Sequence, residues 1–151
     1  MKKISLLLIL LLCSNFYYSQ TKSETETWIK SFISTYSNGT INFQNGILTH
    51  EDPYDPIGLH VRASVAIKDL AGVKVSGGTK GHTAIYLSCY DGQCVNDGIK
   101  SREASSFDTF KNNKLSMQMN SEISEDLQKR IEKAFNHLIK LYGGKNLSNT
   151  F

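Results

Sequence analysis

The chain predicts an α+β domain: an N-terminal helix, about six or seven antiparallel strands, and a C-terminal amphipathic helix packed on the sheet. Three observations carry this expectation. Apolar residues recur at helical spacing near both ends. Between Thr40 and Asn120 they alternate with polar residues. No helical pattern interrupts that middle stretch. Strands that follow one another without intervening helices pair antiparallel, and helices kept to the ends exclude a parallel α/β arrangement.

The first helix is signalled by Ser23–Glu24–Thr25–Glu26, a capping-box pattern in which hydroxyl and carboxylate satisfy each other's backbone amides. Trp28, Ile29, Phe32, Ile33 and Tyr36 then mark one face, with Trp28 as a core anchor. Asn38–Gly39 ends the helix, glycine accepting a left-handed conformation there. Ile41 and Phe43 alternate, and Asn45–Gly46 signals a tight turn before Ile47 and Leu48. Asp52–Pro53–Tyr54–Asp55–Pro56 carries both prolines and is a loop.

Leu59, Val61, Ala63, Val65 and Ile67 form the longest period-two run, broken at Asp69–Leu70–Ala71–Gly72 and resumed at Val73 and Val75. Ser76–Gly81 is a turn, Thr83–Cys89 a strand, Tyr90–Gln93 a hairpin loop, and Val95–Ile99 the returning strand. Lys100–Asn113 is expected to wander over the surface, tucked down by Phe107 and Phe110. Leu115, Met117 and Met119 give a last strand. Ser124 caps the final helix, whose stripe is Leu127, Ile131, Ala134, Phe135, Leu138, Leu141 and Tyr142, and Gly143–Gly144 stops it.

Residues 1–19 carry a different message. Lys2 and Lys3 precede the apolar run Ile4–Leu12, and Ser19 supplies a small residue before Gln20. This is the pattern of a secretory signal peptide cleaved between Ser19 and Gln20, with an apolar run too short for the roughly twenty residues of a membrane span. Residues 20–144 would then form one domain and 145–151 a frayed tail. Cys13 raises lipid anchoring as an alternative, but Leu12 immediately before it departs from the small residue such signals carry. The expected location is the periplasm or exterior of a Gram-negative-type bacterium.

Loss of Lys2 and Lys3 lowers the formal net charge of +3 by two. A nearly neutral chain gives no warrant for nucleic acid as a partner. No second apolar run approaches membrane-spanning length, so no span is expected, and a monomer is the default.

The strand meander closed by Leu127, Ile131, Phe135 and Leu138 resembles, in topology, the pleckstrin-homology-like barrel. The run Arg130–Leu141 is also similar to small exported bacterial proteins of unknown function. Neither resemblance implies a catalytic residue or a cofactor.

Three constellations are candidates for chemistry. Cys89 and Cys94 form an even pair once Cys13 is removed, flanking a short loop. A disulfide is the first expectation, reduced thiols the second, and redox or metal chemistry the least supported by a C-x₄-C spacing. His50–Glu51–Asp52 with Asp55 is the densest run of oxygen and nitrogen ligands; a solvated loop is its ordinary reading and a divalent-metal or hydrolytic site the alternative. His82 and Cys89 suggest a thiol–imidazole pair, although their spacing places them on opposite faces of one strand. His60 and His137 stand apart.

Gly77–Gly78–Thr79–Lys80 has phosphate-loop composition without the order. Asn38–Gly39–Thr40 and Asn146–Leu147–Ser148 match a glycosylation pattern that a bacterial-type leader makes uninformative. No known catalytic motif appears. The chain is therefore expected to be non-enzymatic, without a cofactor. It reads as an exported binding module whose loops present Tyr54 and Tyr90 to an unknown ligand or macromolecule. A metal-dependent protein and a structural, envelope-associated protein are the alternatives.

Overall fold

Two helices and eight strands build an α+β fold in the computed structural model, which describes residues 20–53, 58–77 and 82–145. The leader with its Ser19–Gln20 junction, Tyr54, Asp55, the 78–81 turn and the second glycosylation pattern lie wholly or partly outside those residues. Helix α1 spans Lys22–Tyr36. Its capping box is present but sits two residues earlier than Ser23 predicts. Thr21 is the N-cap: its hydroxyl accepts from the Glu24 amide at 3.2 Å, and its own amide donates to Glu24 Oε2 at 2.8 Å. The same spacing of hydroxyl and carboxylate occurs at both registers. The earlier one extends the helix while Ile29, Phe32 and Ile33 stay in the core.

Strands β1 (Thr40–Gln44) and β2 (Ile47–Asp52) are joined by Asn45 and Gly46, both at positive φ (52° and 77°), as a two-residue hairpin of this hand requires. Strand β3 (Leu59–Ala66) pairs with β2. A 3-10 turn over Ile67–Asp69 leads to β4 (Leu70–Gly77), so the break falls just before Leu70, and an irregularity between Leu70 and Gly72 bends the start of β4.

β5 is Thr83–Cys89, β6 Val95–Ser101, β7 Asp108–Asn112 and β8 Lys114–Gln118. All pairings are antiparallel, in a five-stranded sheet ordered β1-β2-β3-β6-β7 and a three-stranded sheet ordered β4-β5-β8.

This topology corrects two expectations. Tyr90–Gln93 is no hairpin loop, because β5 and β6 belong to different sheets. The stretch before Asn113 does not simply wander: Asp108–Asn112 adds an edge strand to β6, and Phe110 is 45 % exposed, so it does not anchor the stretch. Single apolar residues in a polar run give little period-two signal, and edge strands carry the least.

Helix α2 spans Glu125–Leu141 with Ser124 as its N-cap. Gly143 (φ 79°) turns the chain, with its amide bonded to the Lys140 carbonyl and that of Gly144 to the Ile139 carbonyl, closing the last turn. Ile131, Phe135, Leu138 and Ile139 enter one core with Ile29 and Ile33 of α1, Leu48 and Val65 of the larger sheet, and Ile85, Leu87, Leu115 and Met117 of the smaller. Tyr142 ties the helices together. Its hydroxyl donates to Glu26 Oε1 at 2.6 Å, and that bond to a carboxylate pushes the phenol pKa up to about 12. No described helix is long and apolar enough to cross a membrane.

The Cys89–Cys94 disulfide is formed, with Cα atoms 5.7 Å apart. It lies where the chain passes between sheets. Three passages meet there: Ile67–Asp69, Tyr90–Cys94, and Asn113 between β7 and β8. The Tyr90 amide donates to the Asp69 carbonyl at 2.8 Å, and the Cys89 amide to that of Asn113 at 2.9 Å.

Candidate functional site

The His50–Asp52 run lies in β2, where successive side chains point to opposite faces, so it cannot act as one ligand cluster. Glu51 faces outward, opposite Arg62 of β3, whose Nε donates to Glu51 Oε1 at 2.6 Å. His60 Nε2 lies 3.9 Å from the other Glu51 oxygen, and the His60 ring packs edge-on against Phe107 at 5.0 Å. His50 and Asp52 face the other way. Among the described residues no group of three or more His, Cys, Asp or Glu is placed to hold a metal ion.

The inward pair opens onto a cleft of about 850 Å³. One wall is His50 and Asp52 of β2, Pro53 and Val61. The other is Ser116 and Gln118 of β8, followed by Met119 and Asn120. His82, Asn38 and Arg102 complete the lining. The cleft forms because β8, an edge of the smaller sheet, lies near β2 and β3 of the larger without pairing with either as a strand. Asn120 seals one end, donating from its amide to the Tyr36 carbonyl at 2.7 Å and from its side chain to Asn38 at 2.9 Å.

Two imidazoles are held in fixed orientations. His50 Nδ1 is 3.0 Å from the Thr40 carbonyl and His82 Nδ1 is 3.2 Å from that of Met119. A carbonyl only accepts, so each Nδ1 carries the hydrogen, and the neutral ring keeps its lone pair at Nε2. His50 is 2 % exposed. Burial lowers its pKa; the bond to Thr40 and the nearby carboxylates of Asp52 and Glu51 oppose that shift only in part.

Gly39 is required beside this ring. A Cβ there would stand 2.5 Å from His50 Cε1 and 3.0 Å from the Glu51 carbonyl oxygen. Gly39 has no positive φ, so its role is close approach to His50 and not the left-handed helix end its sequence position suggests. The helix stops at Ser37, whose hydroxyl donates to the Gln118 carbonyl at 2.9 Å and accepts from the Gly39 amide at 3.0 Å. Gly39→Ala is expected to cost on the order of 1 kcal/mol in urea denaturation and to shift the His50 ring resonances. Unchanged resonances would contradict the contact.

Burial of neutral His50 has a pH consequence. The unfolded imidazole titrates near about 6.5 and the folded one lower. Between those values the unfolded chain binds more protons, so stability is fully present above about pH 6.5 and falls as pH drops toward the folded value. Asp97 contributes in the opposite sense. Burial raises its carboxyl pKa against the bond from Asn112, and stability is lost as pH rises through the folded value. Comparing wild type with His50→Gln removes that shared contribution. The wild type should lose more stability than the variant between about pH 7.5 and about pH 5.5. Equal losses would show that His50 is not the group responsible.

Cys89 is oxidised and presents no thiolate, so it forms no nucleophilic pair with His82. Tyr90 is 43 % exposed and lies outside the cleft, against Lys145. No local sequence signal marks Arg102, Ser116, Gln118 or Asn120 as site residues. The alternation of Ser116 and Gln118 with buried Leu115 and Met117 marked a polar face of β8 but not what that face would meet. Comparisons of the chain with protein-family models, with curated proteins and with solved structures find no match.

Proposed function

We propose that the protein is an exported binding module that takes a small zwitterionic molecule, such as an amino acid or short peptide, into the cleft between β2, β3 and β8. The observation that carries this reading is the cleft lining. It combines an acidic group, Asp52, a cationic group, Arg102, two oriented imidazoles, and the amides of Asn38, Gln118 and Asn120. A pocket of a few hundred cubic ångströms with a few convergent polar groups is the usual form of a small-molecule site. Paired opposite charges in one lining select a ligand that carries both. Export rests on the character of residues 1–19 and agrees with a disulfide, which persists in oxidising compartments.

Calorimetric titration with free amino acids and dipeptides tests the site. Binding to the wild type should weaken at least about tenfold in Asp52→Asn and in Arg102→Gln, the expected loss for one charged contact. Absence of any binding heat, or wild-type affinity in both variants, would sink the proposal.

A further inference from the structure

A second groove, of about 460 Å³, lies between the two helices on residues that the inter-sheet cleft does not use. Its floor is Trp28 and Thr25 of α1 and Ala134 of α2, and its rim is Gln20, Arg130, Lys133 and His137. Arg130 lies three and four residues before Lys133 and Ala134, and His137 three and four after Ala134 and Lys133, spacings that put all four on one helix face. Three basic side chains thus line the groove, and among the described residues no carboxylate does. Neither Arg130 nor Lys133 has an ion-pair partner among the described residues.

Trp28 is only half-buried, unlike Ile29 and Ile33 beside it. Its ring stacks on Phe32 at 5.6 Å, and the Arg130 guanidinium lies 5.7 Å from its centroid. His137 Nε2 is 2.9 Å from the Gln20 carbonyl, which fixes the chain entering α1 at the edge of the groove. A flat aromatic floor beside a guanidinium and an ammonium matches a ligand with a planar apolar body and an attached oxyanion. The guanidinium fork suits phosphate geometry in particular.

We infer that the α1–α2 groove binds a small organic phosphate, its apolar body against Trp28 and its phosphate between Arg130 and Lys133. The arrangement is independent of the cleft at His50 and stands or falls without it.

Trp28 is the single tryptophan of the chain, so intrinsic fluorescence reads this groove directly. Phenyl phosphate, added to roughly millimolar concentration, should change the Trp28 emission saturably. The response should weaken at least about tenfold in Arg130→Gln/Lys133→Gln, two exposed positions whose replacement leaves the core intact. Inorganic phosphate should compete, phenol alone should not saturate, and His82→Ala should respond as wild type does. No saturable change in the wild type, a response to phenol equal to that to phenyl phosphate, or an unaltered response in the double variant would each overturn the inference.

Discussion

Phe135→Ala is expected to destabilise the protein by about 3–5 kcal/mol, the usual cost of truncating a buried aromatic ring. The ring is 1 % exposed and sits in α2 one turn from Ile131 and about one turn from Leu138, in the core shared by both helices and both sheets. The loss combines the transfer free energy of the ring with a cavity that neighbours from separate elements cannot readily fill. Since domains of this size are stable by roughly 5–15 kcal/mol, the variant should populate unfolded chain under mild conditions. Lys129→Ala, on the exposed side of the same helix, loses only a 3.9 Å pair with Glu125 and should change stability by no more than about 0.5 kcal/mol. Urea denaturation of both variants checks the contrast; a cost below about 1 kcal/mol for Phe135→Ala would show that α2 does not close the core.

Opening the Cys89–Cys94 bond, by reduction or by Cys89→Ser/Cys94→Ser, should cost about 2 kcal/mol by the chain-entropy estimate for so short a ring. Ring size alone understates the structural place of the bond. It joins the end of β5 in one sheet to the residue before β6 in the other, beside the passages at Ile67–Asp69 and Asn113. Amide exchange should therefore accelerate at Tyr90, whose amide bonds to Asp69, and at Cys89, whose amide bonds to Asn113. Mass spectrometry of non-reduced protein should show the deficit of two hydrogens. Exchange unchanged at both amides after reduction would mean that the three passages hold one another without the bond.

The elements with strong local signals were legible from residues alone. α2 was bounded by Ser124 and by Gly143–Gly144 because a cap, a continuous apolar stripe and a glycine stop agree. The Asn45–Gly46 turn was legible because both residues tolerate positive φ. Less was legible where two local solutions are equivalent, as with the capping box starting at Thr21 instead of Ser23, or where burial is slight, as in β7. The disulfide was anticipated from cysteine count and spacing, but the hairpin expected around it was not there.

His50, Asp52 and His82 stand out in the sequence as chemistry-bearing residues, while their convergence is not visible there. In sequence the run reads as a solvated loop, so the strand alternation that parts Glu51 from His50 and Asp52 was not legible. That His82, thirty-two residues after His50, lines the same cleft as Asp52, Arg102 and Gln118 depends on where β8 lies against β2 and β3.

By itself, then, the sequence determined the α+β class, the two helices, most of the strands and the Cys89–Cys94 pair, because periodicity, caps and turns act over a few residues. Tertiary structure alone decided how the strands divide between two sheets, which polar faces meet across the cleft, and that Gly39 makes room for His50. Those outcomes depend on contacts between residues far apart in the chain, and no local pattern encodes which strand becomes whose neighbour.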